Sequence, residues 1–238
     1  GETEISNIAL EPEVIDLINC LNTMGAKIEL GDNRSAVIQG VTTLNSSNYS
    51  IIPDRIEAVT YIIAGALAGD GLKIENLNIE HISNVLETLK TLPVDIIFDE
   101  NSVTVNKSNI SEGIEIKTKE YPGFPTDVQA QMMVLMSMAK TKSVIDENIF
   151  ENRFMHVPEL NRMGANIEIN GKRAIINPCS GFRGAPVMAT DLRASVSLIL
   201  AGLAAEGETT LNRIYHLDRG YEQIEVKLEA CGAEIKRV

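Results

Sequence analysis

The sequence predicts an α/β fold built from a repeated unit, and three observations support that prediction. Four short segments of similar sequence recur along the 238-residue chain, each after an amphipathic helical pattern. Three aspartates each precede or open an apolar helical run. Short alternating segments typical of strands lie between the helices. The predicted unit is therefore helix, strand, helix, strand, strand, with one further strand leading into it.

The four similar segments are regularly spaced. Their second residues fall at positions 25, 93, 164 and 232, so the repeat is about 70 residues long. Three copies fill residues 53–238, and residues 1–52 resemble the second half of a fourth copy. We therefore expect residues 53–238 to form a C-terminal domain of three units, and residues 1–52 to be the incomplete tail of another domain. The segments are Met24–Leu30, Leu92–Phe98, Met163–Ile169 and Cys231–Arg237.

The elements follow from this pattern in order. The tail begins with a helix over Pro12–Met24, and strands follow at Lys27–Leu30 and Ala36–Gln39. Each later copy pairs an apolar helix with a more polar one, and Gly113–Thr118 is a leading strand. The apolar helices are hydrophobic on every face, which predicts that they are buried against one another with the sheets outside. The apolar helices are Ala58–Leu67, Ala130–Met138 and Ala194–Leu203, and the polar ones are His81–Lys90, Arg153–Arg162 and Arg219–Ala230.

Charged residues recur at the predicted helix starts. An aspartate there can cap free N–H groups, and capping alone explains each of Asp54, Asp127 and Asp191. An arginine there opposes the helix dipole and, taken singly, is usually solvated or ion-paired. Several arginines at equivalent helix ends indicate instead a site for a carboxylate or phosphate, because the guanidinium fork matches both anions. These arginines are Arg55, Arg153, Arg193 and Arg219.

The loop Tyr121–Asp127 is predicted to be stiff, because two prolines restrict its backbone. It delivers Asp127 to a helix start near the expected arginine cluster. A carboxylate held in that way can act as a general base. The alternative is a capped turn without chemistry.

Composition excludes several classes of function. The chain has 21 Lys and Arg against 33 Asp and Glu, a net charge of −12, so no basic face for nucleic acid is expected. The three cysteines are far apart and form no CxxC pair, which is typical of a reducing cytoplasm. No apolar stretch is long enough for a membrane span, and no secretion signal is visible. The three histidines lack the spacing of a metal site.

Four longer motifs closely resemble the UDP-N-acetylglucosamine 1-carboxyvinyltransferase family of enolpyruvyl transferases, and the resemblance runs over residues 1–238. The motifs differ from those of the related shikimate-pathway synthase. The resemblance implies a two-domain inside-out α/β barrel made of six copies of the repeat, of which this chain holds about half. The motifs are Pro125–Gln131, Phe150–Leu160, Ala189–Ser195 and Tyr215–Glu222.

The resemblance also implies a reaction. The enolpyruvyl group of phosphoenolpyruvate is transferred to the 3′-hydroxyl of UDP-N-acetylglucosamine, through a tetrahedral intermediate, and phosphate is released. This is the first committed step of peptidoglycan synthesis and takes place in the cytoplasm. No metal and no organic cofactor are implied.

Residue roles follow from the same resemblance. Asp127 matches the carboxylate that binds the sugar hydroxyl and is the candidate base. Arg219 matches an arginine that holds the phosphoenolpyruvate carboxylate. Ile149 matches a sugar-nucleotide contact that is usually valine. The remaining matches line the interdomain cleft: Arg153, Asp191, Arg193, Asp54, Arg55 and Glu11.

The chain departs from the family by lacking the N-terminal part. That part carries a mobile loop with a reactive cysteine or aspartate, and a Lys-Asn pair. We therefore expect the missing N-terminal segment to be a partner of this chain, and the isolated chain to be inactive or feebly active. Two alternatives remain open: a non-catalytic module that binds sugar nucleotide or anions, and a related enolpyruvyl transferase such as the shikimate-pathway synthase.

Overall fold

The computed structural model describes all 238 residues, which form two compact units. The small unit comprises residues 1–53 and 120–123, and the large unit comprises residues 54–119 and 124–238. None of the helices combines the length and the apolar character that a membrane crossing requires.

The small unit contains one helix and one sheet. The helix α1 (Pro12–Thr23) begins with a proline, which fits the first helical position because its missing N–H would have no partner there. The strands are β1 (Glu2–Ser6), β2 (Lys27–Gly31) and β3 (Ser35–Gln39). They are ordered β1-β3-β2, and the central β3 is antiparallel to both neighbours.

The large unit contains six helices and nine strands. Its helices are α2 (Arg55–Ala68), α3 (Ser83–Lys90), α4 (Gln129–Ser137), α5 (Val157–Arg162), α6 (Leu192–Leu203) and α7 (Ile224–Ala230). Its strands are β4 (Leu72–Ile74), β5 (Ile96–Phe98), β6 (Val103–Val105), β7 (Glu115–Lys117), β8 (Ser143–Asp146), β9 (Asn166–Asn170), β10 (Arg173–Asn177), β11 (Pro186–Met188) and β12 (Thr210–Asn212). Short 3-10 helices cover Ile79–Ile82, Thr126–Val128 and Ile214–Arg219.

The sheets repeat one topology, as the spacing of the similar segments predicts. The order β4-β6-β5 matches the order β8-β10-β9, and the central strand is antiparallel to both neighbours in each sheet. The small unit shows the same order. Leading strands pair in parallel, β7 with β8 and β11 with β12. The predicted α/β fold class is therefore confirmed.

The core of the large unit lies where the three apolar helices meet. Helices α2, α4 and α6 contact one another, and every residue of α4 is buried. The strands β7 and β11 each bury only their middle residue, so these sheets cover the helices from outside. A helix that is apolar on all faces must be enclosed in this way to remove those faces from water.

Three local predictions are wrong. Arg153 does not begin a helix, because Asn152 adopts a left-handed backbone (φ +55°) and α5 starts four residues later, beside a proline. Arg219 ends a 3-10 helix, and α7 begins only after the left-handed Gln223. The last of the four similar segments, residues 231–237, stands where the repeat predicts a strand but is irregular, since no strand lies beside it to accept its backbone hydrogen bonds.

Gly65 of α2 provides a test of this packing. A Cβ atom there would lie 2.2 Å from Val105 Cγ1 of β6, so Gly65→Ala forces the helix and sheet apart. We expect a loss of about 1–3 kcal/mol in the free energy of urea unfolding, despite the better helix propensity of alanine. The control is Gly202→Ala at the equivalent position of α6, where the nearest atom is 3.4 Å away. Equal stability of the two variants would contradict the packing.

Candidate active site

Two of the three helix-start aspartates are caps. Asp54 Oδ1 accepts hydrogen bonds from the N–H groups of Ile56 and Glu57, at 2.8 and 3.0 Å. Asp191 Oδ1 accepts from the N–H groups of Arg193 and Ala194, at 2.8 and 2.9 Å. The capping alternative therefore describes both side chains.

Asp127 differs from the other two because it makes no helix cap. It lies in the 3-10 helix Thr126–Val128 that leads into α4. Its Oδ1 accepts from Arg153 Nη2 at 2.6 Å, and its Oδ2 accepts from Arg193 Nη2 at 3.1 Å. Arg153 comes from the turns between β8 and α5, and Arg193 is the second residue of α6. Three segments of the chain thus bring one carboxylate and two guanidinium groups together.

The charges at this cluster are tightly coupled. Burial raises the pKa of Asp127, but the charges and hydrogen bonds of Arg193 and Arg153 outweigh burial and hold that pKa below its usual range. Burial lowers the pKa of Arg193, while Tyr221 and Asp127 raise it by a larger amount. Asp127 and Arg193 are therefore ionised near neutrality, and an arginine such as Arg153 carries its charge throughout this range. The cluster carries one net positive charge in a protein whose net charge is −12, so it suits a small anion.

Arg153 is also placed against an aromatic ring. Its guanidinium carbon lies 4.8 Å from the centre of the Phe150 ring, and 51% of Phe150 is exposed. Ile149 is half-buried next to it in the same loop. An apolar surface thus adjoins the charged cluster, which is the composition of many small-molecule sites.

Glu147 holds this loop in place, although it is not among the site residues that the sequence predicts. It is only 1% exposed, and its carboxylate accepts four hydrogen bonds. Oε1 accepts from Thr118 Oγ1 (2.9 Å), Ile149 N (2.9 Å) and Phe150 N (3.1 Å), and Oε2 accepts from Thr126 Oγ1 (2.9 Å). One residue therefore joins the end of β7, the turn before Asp127 and the Ile149 loop. In the sequence Glu147 is visible only as an acidic residue directly after a strand. Such residues are common on protein surfaces, so this position does not predict a buried carboxylate.

Three further polar residues lie behind Arg193, and they too are not among the site residues that the sequence predicts. Tyr221, Thr60 and Gln131 are buried and hydrogen-bonded to one another. Arg193 Nη1 donates to Tyr221 Oη at 3.3 Å. Thr60 and Gln131 lie inside the apolar helices α2 and α4. In the sequence they are visible only as single polar residues that interrupt an apolar run.

The other predicted site residues stand at the ends of helices. Arg219 is exposed, and its guanidinium makes no hydrogen bond or ion pair. Arg55 is the first residue of α2. Glu11 directly precedes α1 in the small unit. The structure contains no group of three or more His, Cys, Asp or Glu side chains placed to hold a metal ion.

His156 is buried beside the cluster. Its Nε2 has no hydrogen-bond partner. Burial lowers the pKa of His156 to about 4; the charge of Asp191 opposes the shift, and that of Arg153 adds to it. The imidazole is therefore neutral near pH 7.

This shift makes acid stability a test of the burial of His156. The unfolded chain binds a proton at this imidazole below about pH 6.5, whereas the folded chain binds it only near pH 4. The free energy of unfolding therefore decreases as the pH is lowered from 6.5 to 4. We expect the native chain to lose about 3 kcal/mol more free energy of unfolding than His156→Gln between pH 7 and pH 4. The control is His81→Gln in the 3-10 helix Ile79–Ile82, which should track the native chain. Parallel curves for all three proteins would contradict the prediction.

The chain is similar in sequence to carboxyvinyltransferases, both in a family model and in individual relatives. A family model described as EPSP synthase (3-phosphoshikimate 1-carboxyvinyltransferase) matches residues 1–228. The chain is 54% identical, over all of its residues, to the UDP-N-acetylglucosamine 1-carboxyvinyltransferases of Granulibacter bethesdensis and Pelagibacter ubique. It covers 57% of the length of each.

Solved structures agree with the sequence comparisons. The crystal structure of the enolpyruvyl transferase NikO from Streptomyces tendae superposes with a TM-score of 0.90 at 31% identity, over 99% of this chain and 57% of that chain. An EPSP synthase from Acinetobacter baumannii has a TM-score of 0.75 at 17% identity, over 100% of this chain and 58% of that one, and shares the fold. The chain thus spans little more than half the length of the proteins it matches.

Proposed function

The chain belongs to the EPSP synthase family, and from that premise we propose that it is part of a UDP-N-acetylglucosamine 1-carboxyvinyltransferase. The complete enzyme would transfer the enolpyruvyl group of phosphoenolpyruvate to the 3′-hydroxyl of the sugar nucleotide and release phosphate. The names of relatives 50–54% identical over the whole chain support this acceptor. The placement of Asp127 between Arg153 and Arg193 is the observation on which the proposal rests.

In this proposal Asp127 takes the proton of the sugar hydroxyl as that oxygen bonds to C2 of phosphoenolpyruvate, while C3 takes a proton from an acid that the rest of the enzyme supplies. Loss of a C3 proton together with phosphate then restores the double bond. The two arginines reduce the basicity of Asp127 while both are bound to it. A phosphate or carboxylate of the substrates would compete for the same N–H donors, because a guanidinium binds either anion in a forked geometry. Binding of an anionic substrate would thereby return Asp127 towards its ordinary basicity.

The other predicted residues receive roles that fit their positions. Ile149 and its loop would form the wall against the sugar nucleotide. The exposed Arg219 would hold the phosphoenolpyruvate carboxylate. Asp191 and Asp54 would act by capping α6 and α2, since their carboxylates bind the first N–H groups of those helices. Arg55 and Glu11 are proposed as further substrate contacts.

The cellular setting follows from the same family assignment. We propose a cytoplasmic enzyme at the first committed step of peptidoglycan synthesis, and through it a role in cell-wall growth and division. No metal or organic cofactor is part of the proposal. No nucleic acid is proposed as a partner, because the net charge is −12.

We further propose that the rest of the protein completes the third sheet of the large unit. The strands β1, β4 and β8 each pair with an antiparallel central strand, but the equivalent β12 pairs only with β11. A groove of about 1390 Å³ lies there, lined by β12, α7 and the irregular residues 231–238. Its walls include Leu211, Leu228 and Ile235. An extended strand with alternating apolar side chains would supply the missing backbone partners on both sides.

The experiment is a phosphate-release assay on a chimera. This chain replaces the matching 57% of the Granulibacter bethesdensis protein, and the isolated chain is assayed in parallel. We expect the chimera to release phosphate from phosphoenolpyruvate with UDP-N-acetylglucosamine, and the isolated chain to release little or none. Release only with shikimate 3-phosphate would identify the other transferase. A folded chimera that binds the sugar nucleotide without turnover would indicate a binding module.

A further inference from the structure

A buried hydrogen-bond cluster joins the three repeats directly behind Arg193. Thr60 comes from α2, Gln131 from α4 and Tyr221 from the segment between the last 3-10 helix and α7. Tyr221 and Thr60 are 1% and 2% exposed, and their oxygens are 2.9 Å apart. Gln131 Nε2 lies 3.3 Å from Thr60 Oγ1 and 2.9 Å from the backbone oxygen of Asp127.

The hydrogens in this cluster can be assigned by counting donors. Thr60 has one hydroxyl hydrogen, which it donates to the Ile56 carbonyl oxygen at 2.9 Å. Thr60 Oγ1 is then an acceptor towards its other partners, so Tyr221 must donate its own hydrogen to Thr60. The remaining lone pair of Tyr221 Oη therefore faces Arg193 as an acceptor only.

This assignment determines how the Arg193 fork is oriented. Nη1 donates backwards to Tyr221, and Nη2 donates forwards to Asp127. The guanidinium carbon also lies 5.9 Å from the centre of the Tyr221 ring. An arginine side chain otherwise samples many rotamers, and a rigid acceptor behind it removes most of that freedom.

We propose that Tyr221 is a positioning residue for Arg193, that Thr60 sets the direction of its hydroxyl, and that this pair keeps one arm of the Arg193 fork on Asp127. The inference rests on the proposed function only for the importance of the Arg193–Asp127 pair, since the hydrogen bonds themselves belong to this chain. The hydroxyl of Tyr221 is bonded to Arg193 and to the buried cluster, and not to Asp127, so its effect passes through Arg193.

The test is a titration of the Asp127 carboxyl carbon by NMR in this chain, with Asp127→Asn used to assign the signal. Arg153 and Arg193 are the charged groups that face Asp127. In Tyr221→Phe the ring stays but the acceptor is lost, so Arg193 moves off Asp127 and the titration midpoint rises. Thr60→Val removes the acceptor for the tyrosine hydrogen and should raise the midpoint in the same direction. Thr60→Ser keeps a hydroxyl and should restore the native midpoint.

The control is Tyr61→Phe. Tyr61 is the next residue of α2, and its hydroxyl has no hydrogen-bond partner, so the same atom is deleted without breaking the cluster. Its midpoint should equal that of the native chain. An unchanged midpoint in folded Tyr221→Phe would overturn the proposal. If Tyr221→Phe does not fold, equal titration midpoints for Thr60→Val and Thr60→Ser would overturn the proposal instead. The titration needs no turnover, so an inactive chimera would count against the proposed function and leave this inference standing.

Discussion

Asp127→Asn is expected to slow phosphate release by the chimera about 10²–10⁴-fold, the usual contribution of a positioned general base. Asparagine has nearly the same shape and keeps one oxygen for Arg153 or Arg193, so the site should remain folded. The amide cannot take a proton from the sugar hydroxyl near neutral pH. The loss should therefore appear in kcat rather than in the affinity for UDP-N-acetylglucosamine.

The control for this variant is Asp95→Asn, which changes the same functional groups elsewhere in the large unit. Asp95 is exposed, and its carboxylate accepts a hydrogen bond from Asn106. Its turnover should stay within about twofold of the native chimera, as expected for a surface substitution. A similar rate for both variants would remove Asp127 from the role of base.

The pH profile gives a second, independent readout of the same residue. In the free protein Arg193 and Arg153 hold the pKa of Asp127 below its usual range. If substrate anions draw the arginines away, the pKa rises in the complex. The acid limb of kcat/KM reports the free enzyme and that of kcat reports the complex, so the limb should lie at lower pH for kcat/KM. Coincident limbs would mean that the arginines stay on Asp127 during turnover.

The repeat was predictable from the sequence because its period is carried by turn and helix residues that recur in register. Gly25, Gly164 and Gly232 all adopt positive φ at equivalent turns after a helix, where glycine is favoured. The buried apolar helices were predictable because they are hydrophobic on every face. The prediction of a helix start at Arg153 was wrong because the preceding residue, Asn152, has a left-handed backbone that a helix cannot include.

The site was only partly predictable because its charged residues are recognisable but their partners are not. The sequence indicated Asp127, Arg153 and Arg193 as charges at helix starts. It did not show that Asp127 is an ion-pair partner while Asp54 and Asp191 are caps, because all three stand at similar positions. Glu147, Thr60 and Tyr221 escaped because their importance depends on partners more than 20 residues away in sequence.

Glu147→Ala is expected to have the largest effect on stability, a loss of about 4 kcal/mol in the free energy of urea unfolding. The substitution leaves two backbone N–H groups, those of Ile149 and Phe150, without an acceptor. It also removes the partner of two threonine hydroxyls. Each buried polar group left unpaired costs about 1–3 kcal/mol, partly offset where water enters.

Glu147→Gln is the informative companion, because it keeps one oxygen and replaces the other by an amide. The retained oxygen can still accept from Ile149 and Phe150, while the threonine hydroxyl opposite the amide can rotate and accept. We therefore expect a loss of about 1 kcal/mol, and Glu87→Ala on the exposed face of α3 should change stability by less than about 0.5 kcal/mol. Amide exchange at Ile149 and Phe150 should accelerate in Glu147→Ala alone. Equal stability of the alanine and glutamine variants would show that water replaces the carboxylate, and that Glu147 does not hold the loop beside Asp127.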